Sequence, residues 1–163
     1  MMNICIIDDE WICRFIIQKL IGRITVDVNI SQFADGQEAF EFILDRQSEP
    51  CDLPALIILD INMPVANGWQ FLDMLQALKA GSYNPRIYIS SSSLDPDDFV
   101  RAKTYPAISG YLPKPVTQLM LEKVFQDLGE YQGKFKEQST TRWYYQFPGS
   151  RPLKAGGITF TTF

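Results

Sequence analysis

Five consecutive apolar residues, Ala55-Leu56-Ile57-Ile58-Leu59, run directly into Asp60, and this stretch limits the possible folds more than any other. Pro54 precedes the run, and Pro64 and Gly68 punctuate the segment after Asp60. An unbroken apolar run of this length, bounded by breakers, reads as a strand buried on both faces. Such strands belong to parallel sheets covered by helices, where the functional crevice lies at the carboxyl ends of the strands. Asp60 therefore stands where chemistry is expected.

Three other segments repeat the pattern. Met2–Ile7 ends in Asp8-Asp9-Glu10, Ile87-Tyr88-Ile89 ends in Ser90-Ser91-Ser92-Ser93, and Ser109–Leu112 leads into Pro113-Lys114-Pro115. As parallel neighbours, these strands would gather three carboxylates, a hydroxyl and an ammonium, the composition of a site for a divalent cation and a phosphoryl group. Helical patterns alternate with the strands. The first is expected over 11–21, with acids at its start and Gly22 at its end. The strict alternation of Ile24–Ile30 reads as an edge strand, and Ala34-Asp35-Gly36 as a turn. Further helices are expected over 37–46, over 68–80 behind an Asn67 cap, from Asp95-Pro96-Asp97-Asp98 to near Tyr105-Pro106, and over 118–131 behind a Thr117 cap. Five β–α alternations predict an α/β fold, a (βα)5 doubly wound parallel sheet with right-handed crossovers.

Composition narrows the function. A net charge of −4 and an acidic pI near 4.8 argue against direct nucleic-acid binding. No apolar run approaches the ~18 residues of a membrane span, and the N-terminus lacks the basic start of a signal peptide. Cys5, Cys13 and Cys51 have no metal-like spacing; Cys5 and Cys13 fall in apolar segments and read as buried free thiols of a cytoplasmic protein. The absence of histidine excludes imidazole-based catalysis and histidine metal ligation.

The order of these pieces (Asp8-Asp9 after the first strand, Leu59-Asp60-Ile61-Asn62-Met63-Pro64 with Gly68 after the third, a hydroxyl ending the fourth, Lys114-Pro115 after the fifth) resembles the receiver domain of two-component response regulators, the CheY-like superfamily. The resemblance covers residues 1–131 and implies the strand order 2-1-3-4-5. It implies that Asp60 is the phosphoacceptor, and that Asp9, Asp60, the backbone carbonyl of Asn62 and Asp8, directly or through water, hold Mg2+. It implies that Lys114 and Ser90 contact the phosphoryl oxygens, Ser91 being the alternative within the serine run, and that Pro115 forms a cis peptide. Asn62 and Ser92 resemble positions that tune phosphoryl lifetime. Tyr111 matches the switching aromatic, which would pack inward once the phosphoryl group draws Ser90 in and so alter the face made by the fourth helix, fifth strand and fifth helix. The implied partners are a sensor histidine kinase or histidine phosphotransfer protein upstream and a protein downstream.

The chain departs from the pattern at Pro113, where an ordinary apolar residue is expected. It departs again in residues 132–163, which carry no recognisable output domain; Trp143-Tyr144-Tyr145 and Gly157–Phe163 there have strand-like composition. The expectation is a stand-alone receiver rather than an enzyme turning over a substrate. The alternatives are a pseudo-receiver acting only through protein contacts and an aspartyl-phosphate phosphatase. The haloacid dehalogenase type of phosphatase wants a second acid two residues after the nucleophile, where this chain has Asn62. A flavodoxin-like flavin binder is opposed by the three acids after the first strand, which would repel a phosphate.

Overall fold

A computed structural model describes residues 1–78, 83–93 and 95–129. The tail over 132–163 and the last positions of the expected 68–80 and 118–131 helices lie outside the described residues. The elements are β1 (Met2–Ile7), α1 (Trp11–Ile24), β2 (Val28–Phe33), α2 (Gly36–Arg46), a short 3-10 turn (Pro50–Asp52), β3 (Leu56–Asp60), α3 (Gly68–Ala77), β4 (Arg86–Ser91), α4 (Pro96–Ala102), β5 (Ile108–Pro113) and α5 (Gln118–Asp127). All five strands pair in parallel in the order β2-β1-β3-β4-β5, as expected.

The order reverses at β1, whose neighbours are β2 on one side and β3 on the other. That switch point splays the flanking loops and opens a crevice. Asp8 leaves β1 and Asp60 ends β3 on its two sides. The sheet separates two cores. Cys5, Ile7, Ile57, Leu59, Ile87 and Ile89 face α2, α3 and α4. Ile4, Ile6, Leu56, Ile58, Tyr88 and Leu112 face α1 and α5 through Ile17, Ile21, Leu121, Val124 and Phe125. Both faces of β3 are dry, which is why its sequence is continuously apolar rather than alternating.

The helix starts follow the local chemistry. Asp35 accepts from the backbone N–H of Gln37 and Glu38. Asn67 and Gln70 form a reciprocal capping box. Asp95 caps α4 ahead of Pro96, and Thr117 caps α5.

Three expectations are corrected. The Ile24–Ile30 strand is displaced: α1 runs through Gly22 to Ile24, and β2 is Val28–Phe33. The alternation crosses an element boundary, with half-buried Ile24 in the last turn of a helix and Val26, 92% exposed, in the link. A Cβ on Gly22 would meet nothing within 4 Å and its φ is not in the left-handed region, so the position does not demand glycine and the helix continues through it. The acids stand just ahead of α1: Glu10 occupies the cap position, its side chain makes no bond to the helix backbone, and no acid lies in the first turn. Finally, Cys5 is buried, but Cys13 is only half-buried and donates to the Glu10 carboxylate at 2.9 Å.

Candidate functional site

Asp60 is 4% exposed and lies level with Ser90 across the β3–β4 ladder. One carboxylate oxygen, Oδ1, accepts from the Asn62 backbone N–H at 2.9 Å; Oδ2 accepts from the Lys114 ammonium at 2.6 Å. Across the switch point, Asp8 is 1% exposed, its Oδ1 accepts from the Glu10 N–H at 2.9 Å, and its Oδ2 pairs with the same ammonium at 2.8 Å. Lys114 thus bridges the two buried acids. Its backbone N–H is tied to the Ser91 carbonyl at 3.1 Å, and the Lys114–Pro115 peptide is cis. Asp9 is exposed at the rim.

The electrostatics are incompletely balanced. Burial raises the Asp8 pKa, and the hydrogen bond and charge of Lys114 lower it without cancelling the rise. For Lys114, burial works against the charged form, but the hydrogen bonds and charges of Asp60 and Asp8 outweigh it, so its pKa stands above the ordinary lysine value. One ammonium therefore serves two buried carboxylates with a third beside them. Asp8, Asp9 and Asp60 each offer a carboxylate oxygen, all within 4.8 Å of one another. That all-oxygen donor set and its surplus of negative charge fit a hard divalent cation such as Mg2+.

Ser90 is 1% exposed and its Oγ has no hydrogen-bond partner among the described residues. A buried hydroxyl at the end of a strand calls for a partner. The neighbouring Ser91 Oγ is engaged, accepting from the Ser93 N–H at 3.0 Å and the Asn62 Nδ2 at 3.4 Å. Within the serine run, Ser90 is the residue level with Asp60, and its hydroxyl is the one left without a partner among the described residues.

The crevice wall is close-packed. A Cβ on Gly68 would stand 2.5 Å from the Asp60 carbonyl oxygen and 2.8 Å from the Ile61 Cα, so only glycine lets α3 start this near the acid. Tyr111 is buried, with its ring centroid 4.5 Å from that of Phe99 on α4. The structure thus holds Tyr111 inward. Two features escaped sequence reading. Arg14 donates from α1 to the Asp8 backbone carbonyl, holding the β1–α1 loop, and Trp69, Asp73, Asp98, Arg101 and Tyr105 converge between α3 and α4. Arg14 carries no motif, and the second group is spread over two helices and the link after α4, with no sequence periodicity to join them.

A five-stranded parallel sheet with acids after β1 and β3, a hydroxyl on β4 and a lysine after β5 defines a receiver-type fold and site. The sequence matches the response regulator receiver domain over residues 4–126, and the chain belongs to that family, which acts in two-component signalling. It is 23% identical over 128 residues to the probable methanogenesis regulatory protein FilR2 of Methanothrix harundinacea, covering 78% of this chain and 81% of that one. It is 33% identical over 112 residues to the nitrate/nitrite response regulator protein NarL of Escherichia coli, covering 69% of this chain but 47% of NarL. The chain therefore spans about half the length of NarL. A two-component response regulator from Cytophaga hutchinsonii superposes with a TM-score of 0.68 at 29% identity, covering 77% of this chain and 95% of that one. No helix among the described residues is long and apolar enough to cross a membrane.

Proposed function

We propose that this chain accepts a phosphoryl group on Asp60 from a histidine kinase or a histidine phosphotransfer protein and passes the signal to a protein partner. The observation that carries this reading is the unpartnered, buried Ser90 hydroxyl level with Asp60, with Lys114 on the other side of the same acid. In the transfer, an Asp60 carboxylate oxygen attacks the phosphorus as the N–P bond of the donor phosphohistidine breaks, and the imidazole leaves with the bonding pair. Ser90 donates a hydrogen bond to one phosphoryl oxygen. Lys114, already held at Asp60, moves its charge to another. Phosphoryl transfer needs such positioning and charge neutralisation more than covalent assistance. Asp9, Asp60, the Asn62 carbonyl and Asp8, directly or through water, would hold Mg2+, which would neutralise the acids and the incoming charge.

The donor is a protein, and the surface beside the crevice suits one. Trp11, Ile12, Phe15 and Ile16 on α1 are each at least 45% exposed, a concentration of large apolar side chains that marks an interaction surface. On the output side, Tyr111 packs under α4, so a phosphoryl group that engages Ser90 biases the α4–β5–α5 face as a two-state element. The chain promotes its own phosphorylation and slow dephosphorylation and turns over no separate substrate.

The test is incubation with acetyl phosphate, with and without Mg2+, followed by intact mass. One phosphoryl increment, lost on chelation and in Asp60→Asn, is expected. No increment in folded protein that binds Mg2+ would favour a pseudo-receiver acting through contacts alone.

A further inference from the structure

α4 is seven residues long, and Ala102 is its one buried residue. So short a helix is marginal by itself and takes its position from tertiary contacts. α3 supplies a set of them. The Trp69 and Asp98 side chains come together between the two helices. The Arg101 guanidinium lies 4.7 Å over the Trp69 ring and 3.6 Å from Asp73. Beyond the helix, the Tyr105 hydroxyl donates to Asp73, and its ring stacks on Trp69 with centroids 5.9 Å apart. α4 also carries Phe99, packed against Tyr111. At the other end of the connection, Trp69 follows Gly68, whose backbone packs directly on the Asp60 carbonyl. A contiguous path of close contacts thus runs from the acid loop, through the start of α3, into α4 and onto Tyr111.

We infer that Trp69, Asp73, Asp98, Arg101 and Tyr105 form a clamp that fixes α4 over the inward Tyr111, and so sets how much of the unphosphorylated chain already holds the arrangement that phosphorylation selects. The inference rests on the phosphoacceptor reading of Asp60 and adds a resting bias to it. A ligand whose binding-competent state is partly populated binds more weakly by that fraction. Loosening the clamp therefore weakens every ligand that needs Tyr111 inward and leaves bare metal binding untouched. The residues act through α4 and Tyr111; they are positioning residues.

The test uses the full chain with Asp73→Asn and Tyr105→Phe, two near-isosteric changes remote from the acid crevice. Beryllofluoride affinity at saturating Mg2+ is measured together with Mg2+ affinity alone and the NOEs between the Phe99 and Tyr111 rings. The clamp predicts beryllofluoride binding about two- to tenfold weaker in each variant, unchanged Mg2+ affinity, and weakened Phe99–Tyr111 NOEs. Asp73→Glu, which keeps the carboxylate, recovers most of the loss. Unchanged or tighter beryllofluoride binding overturns the proposal, as does a parallel loss of Mg2+ affinity, which would report a general lesion. A wild-type chain that binds no beryllofluoride at all refutes the Asp60 reading instead. The ring NOEs then still judge the clamp, and NOEs of wild-type strength in both variants overturn it.

Discussion

Gly68→Ala joins the fold to the site. The added methyl would meet the Asp60 carbonyl oxygen at 2.5 Å, the Ile61 Cα at 2.8 Å and the Ile61 Cγ2 at 3.1 Å. The first two are backbone atoms, so no side-chain rotation relieves the contact; the β3–α3 loop or the start of α3 must move. Overpacking of this kind costs about 1–3 kcal/mol. Clashes of 2.5 and 2.8 Å with backbone atoms belong to the upper part of that range, about 2–3 kcal/mol; the better helix propensity of alanine offsets at most about 1 kcal/mol, which leaves a net loss of about 1–2 kcal/mol. Gly22→Ala is the matched control. Gly22 lies within α1 with nothing within 4 Å of the new methyl, and a gain of about 0.5–1 kcal/mol is expected. Urea unfolding followed through the fluorescence of buried Trp69 reads both changes as opposite shifts of the midpoint at constant slope. The displaced loop also carries Asp60 and Asn62, so Mg2+ affinity falls in Gly68→Ala and holds in Gly22→Ala. A Gly68→Ala protein as stable as the wild type, with unaltered Mg2+ affinity, would refute the argument that this close approach builds the crevice wall.

Three further outcomes are expected from the same structure. Asp8→Asn removes a carboxylate that burial disfavours and Lys114 compensates only in part; the metal-free variant should unfold at higher urea, while calorimetry should show Mg2+ affinity reduced about 10- to 100-fold. Asp35→Ala deletes the acceptor for two backbone N–H groups at the start of α2 and should cost about 1 kcal/mol in urea unfolding, whereas Glu10→Ala, whose side chain caps nothing at α1, should change stability by less than about 0.5 kcal/mol. The three thiols should separate in a disulfide-exchange assay at pH 8. Exposed Cys51 reacts first. Cys13 lags, because burial and the Glu10 hydrogen bond and charge push its pKa up to about 11 and deplete the reactive thiolate. Cys5, fully buried, reacts only on unfolding.

The parts of this chain legible in its sequence are those where one local rule acts alone. A dry strand must be apolar throughout, so β3 and its terminal acid stood out. Asn67, Asp95 and Thr117 cap helices through bonds two or three residues long, and each was readable from its neighbours. The convergence of Asp8, Asp60, Ser90 and Lys114 followed from alternating strands and helices, because parallel strands put all their carboxyl ends on one side. The failures lie where two rules overlap or where contacts are long-range. Ile24–Ile30 has the period of a strand, yet its first residue belongs to a helix and its third to a link, and only pairing with β1 fixes where β2 begins. The acids after β1 read equally as the start of a helix or as a crevice; the side chain of Asp8 belongs to the crevice, where it bonds Lys114 and the backbone of Glu10. The level of Ser90 with Asp60 needed strand register, and the α3–α4 contacts needed the helices side by side.

The identity of the phosphorylated residue decides whether Asp60 is the phosphoacceptor. Protein treated with acetyl phosphate and Mg2+ is reduced with borohydride, which converts an acyl phosphate to an alcohol, and the peptides are sequenced by mass spectrometry. The account predicts one reduced aspartate, Asp60, absent when Mg2+ is chelated and strongly diminished in Lys114→Ala. Reduction at Asp8 or Asp9, a stable phosphate ester on Ser90, or no modification of protein that binds Mg2+ would contradict it.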